Sequence, residues 1–167
     1  RRDNRDDSLL GAIAAAFDGA GVRICPATDF APELLALPGL LAGPPLTPRE
    51  EADVAFGWML AKELGRHDIG QTVVVRHRAP LALEAIEGTD ECIRRAGQVC
   101  PAGGMVVVKV AKPQQDPRFD MPTVGIGTLR SLVAARARVL AIEAGNTILV
   151  DGEELARFAE EHGIKIG

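Results

Sequence analysis

Met105-Val106-Val107-Val108-Lys109-Val110 is an almost unbroken β-branched run. A strand with one wet face alternates apolar and polar side chains, whereas a continuous apolar run suits a strand covered on both faces. Covering both faces takes helices on either side. The surrounding sequence offers them, because segments of helical period alternate with short β-rich runs. The fold class is therefore α/β, a mixed sheet with flanking helices.

Working outward, Thr89 is placed to cap a helix running through Ala96, and Thr128 to cap another to about Ala137. Gln71 to Arg76 and Leu81 to Ile86 are β-rich runs separated by His77-Arg78-Ala79-Pro80, which predicts a hairpin. Val139 to Ile142 and Thr147 to Val150 read as strands flanking a turn at Glu143-Ala144-Gly145-Asn146. Glu153 to Glu161 closes the chain as a helix, followed by a short apolar end.

Towards the start, Thr47-Pro48-Arg49-Glu50 matches a capping box: Thr caps, Pro occupies the first helical position and Glu reaches back. Ala52, Ala55, Phe56, Met59, Leu60 and Leu64 then line one face. Trp58 lies off this stripe, beside Val54 and Ala61, and reads as a packing residue. Pro38 to Leu46 is Pro/Gly-rich and marks the expected domain boundary, giving 1–46 as a remnant of an N-terminal α/β domain with its linker, and 47–167 as a C-terminal domain. Within the remnant, Leu9, Leu10, Ile13, Ala16 and Phe17 form a helical stripe capped by Asp6, Asp7 or Ser8, and Val22 to Cys25 reads as a strand.

The chain has 167 residues, 47% of them apolar and 25% charged, with a formal net charge of −4. That balance argues against a nucleic-acid-binding module, which carries a basic face. Three cysteines without CxxC spacing suggest neither a disulfide framework nor a zinc site. No apolar run reaches the roughly 20 residues of a membrane span. The opening Arg-Arg-Asp-Asn-Arg-Asp-Asp has no signal-peptide pattern and no initiator Met, so the expectation is a cytoplasmic fragment of a longer protein.

Three segments look unlike scaffold. Glu84-Ala-Ile-Glu87-Gly88-Thr89-Asp90 combines carboxylates with a Gly-Thr pair at a helix start, whose free N–H groups suit an anion. A plain acidic turn with Thr as N-cap satisfies the same spacing. Lys109 to Gly125 leaves the buried-type strand and packs two Lys, one Arg, two Asp, two Gln and three Pro into one loop. Carboxylates that hold a metal or orient water, beside cations that neutralise phosphate oxygens, are what phosphoryl chemistry needs. An exposed charged loop has the same composition. Ile142 to Asn146 could bring a carboxylate and a tight turn to the same cleft. His67, His77 and His162 fit helix ends and turns and suggest no site.

Asp68-Ile-Gly-Gln71, Glu84-Ala-Ile-Glu-Gly-Thr-Asp90, Lys109-Val-Ala-Lys-Pro113, Arg118-Phe-Asp-Met-Pro-Thr-Val-Gly125 and Glu143-Ala-Gly145 together resemble the LpxI family of UDP-2,3-diacylglucosamine pyrophosphatases, in order and spacing, across roughly residues 45–167. The resemblance implies the C-terminal, catalytic portion of a two-domain enzyme, preceded by a piece of a Rossmann-like domain. The family's Gly-rich N-terminal segment has no counterpart here. The implied reaction splits UDP-2,3-diacylglucosamine into UMP and 2,3-diacylglucosamine 1-phosphate (lipid X), with Mg²⁺ (or Mn²⁺ or Co²⁺), in lipid A biosynthesis.

The resemblance places the catalytic aspartate at Asp120, with Asp116 in support. It implies substrate binding by Gln71, Gly88, Thr89, Asp90, Lys109, Lys112, Arg118, Thr123 and Gly145, and metal binding by Asp120, Glu87 and Glu143. An amphiphilic substrate implies peripheral contact with the inner membrane. Two rival readings stand beside it: a non-catalytic module that binds a nucleotide or sugar phosphate, and a fragment whose surface packs on the missing N-terminal domain or on a second copy as a homodimer.

Overall fold

A computed structural model of the chain describes residues 5–167, with side chains from Leu10 onward. Helix α1 (Arg5–Gly19) is followed by two short 3₁₀ turns, Ala27–Asp29 and Pro32–Leu34. Then come α2 (Pro48–Arg66), β1 (Thr72–Arg76), β2 (Ala79–Leu83), α3 (Thr89–Val99), β3 (Val106–Lys109), β4 (Thr123–Val124), α4 (Ile126–Ala134), β5 (Val139–Ile142), β6 (Ile148–Leu149), α5 (Gly152–His162) and β7 (Lys165–Ile166). Five strands form one sheet in the order β2-β1-β3-β5-β7, while β4 and β6 pair separately. β1 is antiparallel to both β2 and β3, whereas β3, β5 and β7 are parallel, so the sheet is mixed.

The central run is buried on both faces as its composition requires. Val106, Val108 and Val110 pack with Val73, Val75, Val139 and Ala141 beneath α2. Val107 faces the other way, with Val74 and Leu140, into a larger core closed by Ile93 of α3, Leu129 and Leu132 of α4 and Leu155 of α5. One helix thus covers one face and three cover the other.

The capping box forms as predicted: Glu50 N–H donates to Thr47 Oγ1 at 3.3 Å, and Thr47 N–H to Glu50 Oε2 at 2.7 Å. The face that α2 buries differs from the predicted stripe. Asp53, Gly57, Ala61 and Gly65 are buried, while Ala52, Ala55 and Met59 are exposed. The reason is close approach: a Cβ on Gly57 would stand 2.7 Å from Val108 Cγ2. The backbone of α2 lies on the sheet along a small-residue seam, and Phe56, Leu60, Leu64 and Trp58 straddle it, half-buried. Asp53, only 3% exposed, accepts the N–H groups of His77 and Arg78 at 2.9 and 2.6 Å. Those two residues have φ of 54° and 57°, a two-residue turn of the kind that joins twisted antiparallel strands.

Several local expectations are corrected. Val22 to Cys25 joins no β-ladder among the described residues, so it is not a strand. Asp6, Asp7 and Ser8 lie inside α1, and residues 1–4, which precede it, are outside the described residues. The N-caps of α3 and α4 are Gly88 and Gly125, one and three residues ahead of Thr89 and Thr128. β5 and β6 do not form a hairpin, since β6 pairs in parallel with β4 through Thr123↔Ile148 and Val124↔Leu149. The Pro/Gly-rich connection runs along the sheet edge: Leu41 N–H donates to Ile166 O at 2.7 Å and Ile166 N–H to Ala42 O at 3.0 Å. That pairing covers the exposed side of β7.

Candidate functional site

The C-terminal ends of β2, β3 and β5 and the start of β1 meet at one edge of the sheet, because β1 runs opposite to its neighbours. The N-terminus of α3 follows β2 at that edge. Irregular segments 110–122 and 143–147 leave from the same place, the usual location of ligand sites in open α/β sheets.

On the α3 side, Glu84, Thr72 and Lys109 occupy adjacent positions on three neighbouring strands. Thr72 is paired with Lys109 across β1 and β3, and Glu84 N–H donates to Thr72 O at 2.9 Å. Lys109 is 6% exposed and Glu84 7%. Lys109 Nζ donates to Thr123 O at 2.8 Å, which leaves two ammonium protons without a protein partner among the described residues. Burial pushes the Lys109 pKa down, opposed by Glu84, Asp90 and Asp120. No side chain among the described residues caps α3, so its first-turn N–H groups remain open on the Lys109 side. Gly88 makes this entry with φ 85°.

On the α2 side, a cleft of about 280 Å³ is lined by Lys62, Ala111, Lys112, Gln115, Asp120, Met121, Glu143 and Asn146, among others. Glu143, just past β5, is fully engaged: Lys62 Nζ and Ala111 N–H donate to Oε2 at 2.6 and 2.8 Å, and Asn146 Nδ2 to Oε1 at 3.2 Å. Lys112 Nζ is tied to Asp68 at 2.6 Å. Arg118 and Asp116 pair with each other, the closest contact being 2.7 Å. The Arg118 guanidinium and backbone N–H hold the Asp116 carboxyl below its ordinary pKa. Asp120 differs. It lines the cleft, is exposed, and its carboxylate accepts no hydrogen bond among the described residues.

The predicted residues therefore separate into groups. Gln71, Gly88, Thr89, Asp90, Lys109 and Thr123 gather at the α3 side, and Lys112, Asp120 and Glu143 at the cleft. Gly145 makes the turn after Glu143, with φ 73° and its N–H on Ala36 O at 2.8 Å. Asp120, Glu87 and Glu143 are not assembled as a ligand set. Glu87 is taken by Arg95 at 2.5 Å and by Ala85 N–H at 3.1 Å, and no three His, Cys, Asp or Glu side chains converge among the described residues. Of the three, Asp120 alone has a carboxylate that accepts no hydrogen bond among the described residues. The sequence reading assigned no role to Lys62, and it gave none individually to Glu84. The signal for Glu84 was its parity with the strand, which puts it on the Lys109 face.

A family model described as the LpxI C-terminal domain matches residues 38–167. The UDP-2,3-diacylglucosamine pyrophosphatase LpxI of Caulobacter vibrioides is 36% identical over 168 aligned positions, covering 95% of this chain. The chain spans 59% of that relative's length. With 130 residues under the family model, in the part that carries the whole sheet and both halves of the cleft, the chain belongs to the LpxI C-terminal domain family.

Proposed function

We propose that this chain is the catalytic portion of an enzyme that hydrolyses the pyrophosphate of UDP-2,3-diacylglucosamine to UMP and 2,3-diacylglucosamine 1-phosphate in lipid A biosynthesis. One observation carries the reading. Among the charged groups of the 110–122 loop, Asp120 alone is left without a protein partner among the described residues; it lines the cleft, and its charge also acts on the buried Lys109 of the α3 side. The name of the Caulobacter relative supports the substrate.

A pyrophosphate resists attack because its own negative charge repels a nucleophile. Lys109 supplies two unused N–H donors from a buried position, where an ammonium acts more strongly on an anion than it does in water. The open first turn of α3 adds backbone N–H groups and the positive end of its dipole. Asp120 accepts a proton from, or orients, the attacking water.

The residues present fit Mg²⁺. Mg²⁺ is commonly held by one or two carboxylates together with substrate phosphate oxygens, and Asp120 offers a carboxylate with free lone pairs. Bound there, the cation would offset charge on the phosphoryl oxygens. Glu143 and Glu87 are committed to donors and serve the scaffold. A second cavity of about 890 Å³, lined by Leu34, Leu37, Leu40, Leu41, Trp58 and Leu149 among others, shares the end of β5 with the cleft and offers an apolar wall for acyl chains.

The test is release of UMP from UDP-2,3-diacylglucosamine, with Mg²⁺ and with chelator, by this chain, by a longer form carrying an N-terminal domain, and by Asp120→Ala in each. Mg²⁺-dependent release that Asp120→Ala lowers at least ~10³-fold is the expected result, a loss of about 4 kcal/mol of transition-state stabilisation. Near-normal turnover in the variant removes the mechanism. An inactive longer form hands the case to a non-catalytic phosphate-binding module.

A further inference from the structure

Thr89 and Thr72 face each other at the site edge, Oγ1 to Oγ1 at 3.2 Å, and Thr89 Oγ1 donates to Glu84 Oε1 at 3.3 Å. Gln71 N–H donates to the other Glu84 oxygen at 3.4 Å. An ionised carboxylate only accepts, and a hydroxyl has one proton to give. The direction of the chain is therefore fixed: Thr72 donates to Thr89, and Thr89 to Glu84. Thr72 is fully buried, so its hydroxyl has no competing water, and its donation to Thr89 satisfies it. With its proton committed to Glu84, Thr89 cannot donate through its hydroxyl to a phosphoryl oxygen. Its backbone N–H, in the open first turn of α3, can.

Among the described residues, Glu84 itself has no cation in direct contact. Its buried charge is balanced at longer range by Lys109, which sits across Thr72 on the same face of the sheet. A buried carboxylate without a contact partner is costly unless its neighbours compensate, so the Glu84–Lys109 arrangement calls for a reason beyond stability. Lys109 is faced by Glu84 from the end of β2, by Asp90 from α3 and by Asp120 from the loop. Asp90 and Asp120 are exposed, so water screens them, whereas Glu84 is buried.

We infer that Glu84 is a positioning residue for the proposed hydrolysis, its carboxylate anchoring the Thr72–Thr89 hydroxyl chain that sets the first turn of α3 and balancing the buried Lys109 ammonium, so that backbone N–H groups and Lys109 together face a phosphoryl group. The inference rests on the function proposed above. It gives the Thr89 side chain the role of a latch and leaves its backbone N–H to the substrate.

The variants are Thr89→Val, Thr89→Ser and Glu84→Gln, made in the longer form if only that form is active. Thr89→Val keeps the shape and removes the donor; Thr89→Ser restores it. The expected result is kcat reduced about tenfold or more in Thr89→Val, with Thr89→Ser within about twofold of the parent and KM little changed. Equal kcat in Val and Ser variants overturns the latch.

A readout independent of turnover follows the Lys109 side chain through alkaline titration by NMR. Glu84→Gln lowers its midpoint by about one pH unit or more, since one opposing charge is gone, while Thr89→Val leaves it near the parent value. An unmoved midpoint in Glu84→Gln, with the variant folded, overturns the inference whether or not the parent hydrolyses the substrate. Failure of the parent alone, with the titration shifted as stated, counts against the proposed substrate and leaves the Glu84–Lys109 balance standing.

Discussion

Replacing Gly57 by Ala tests the packing on which the site depends. Intrinsic helix propensity favours Ala by about 1 kcal/mol, so a surface-type argument predicts stabilisation. The structure predicts the reverse. A Cβ at this position meets Val108 Cγ2 at 2.7 Å and Val75 Cγ2 at 3.1 Å. Both valines are fully buried in the sheet and have no flexible end to swing away. Ordinary contact begins near 3.4 Å, so α2 must lift by roughly 0.7 Å or the valines must leave their rotamers. Overpacking of this kind costs about 1–3 kcal/mol, and with the propensity gain subtracted the outcome is a net loss of up to about 2 kcal/mol.

Urea denaturation at fixed pH measures the loss, with an unchanged m-value expected because the folded and unfolded states keep their surfaces. The double variant with Val108→Ala gives the decisive result. Val108→Ala alone opens a cavity, but paired with Gly57→Ala the new methyl fills part of it, so the two losses are less than additive by about 1 kcal/mol. A stabilising Gly57→Ala, or strict additivity in the double variant, would refute the close-approach argument. The change also reaches the site, since Lys62 lies five residues along α2 and its bond to Glu143 lengthens if the helix lifts.

Two further outcomes follow from single side chains. Burial pushes the Glu50 carboxyl up, but the Lys165 ammonium and the Thr47 donors outweigh it and hold the carboxyl below its ordinary pKa. A folded value below the unfolded one makes the contribution complete above the unfolded pKa and lost as pH falls through the folded one. Glu50→Gln is therefore expected to cost about 1–2 kcal/mol near neutral pH and much less once the pH lies below the lowered folded pKa, read from denaturation midpoints in parallel with the parent. A pH-independent loss would show that only the neutral capping geometry matters. Burial also pushes the Cys92 thiol up to about 12, and Cys100 is likewise buried. A thiol reagent near pH 8 should thus modify Cys25 quickly and reach Cys92 and Cys100 only on unfolding; fast labelling of Cys92 in the native protein contradicts the core assignment.

What the sequence disclosed was chemistry that acts within a few residues. The capping box at Thr47 is a matter of spacing, and the buried run at 105–110 has no other economical reading. The buried face of α2 was misread because hydrophobicity ranks Asp53, Gly57 and Gly65 as surface, whereas close approach to a sheet selects for absence of a side chain. Val22 to Cys25 has strand-like residues but finds no partner, and pairing is not a local property. The same holds for β6, whose partner is β4 and not β5. At the site, Asp120 and Lys109 were visible as unusual residues in an unusual loop. The commitment of Glu143 was not, because its partner Lys62 lies 81 residues away. Nor was the alignment of Glu84 with Thr72 and Lys109, which depends on the register of three strands.

That register bears on how Asp120 can be held for chemistry while its carboxylate stays free. The loop that carries it is fastened at both ends. At the start, Ala111 is held by Glu143, Lys112 by Asp68, and Gln114 Nε2 by Gly65 O at 2.8 Å. At the end, Pro122 O accepts Ile148 N–H and Thr123 O accepts Lys109, both at 2.8 Å. Between these points the hydrogen bonds are internal, Arg118 with Asp116 and Asp120 N–H to Asp116 O at 3.1 Å, apart from Thr28 Oγ1 donating to Met121 Sδ at 3.8 Å. The prolines at 113, 117 and 122 narrow the backbone freedom that remains. Only one short turn must therefore be ordered when a substrate engages Asp120, and the entropic cost at that step is correspondingly small. The Asp116–Arg118 pair gives that turn its shape without drawing on the Asp120 carboxylate. The same pairing explains why Asp116, although acidic and nearby, is a poor candidate for the chemistry: its charge is already spent on holding the turn that presents Asp120.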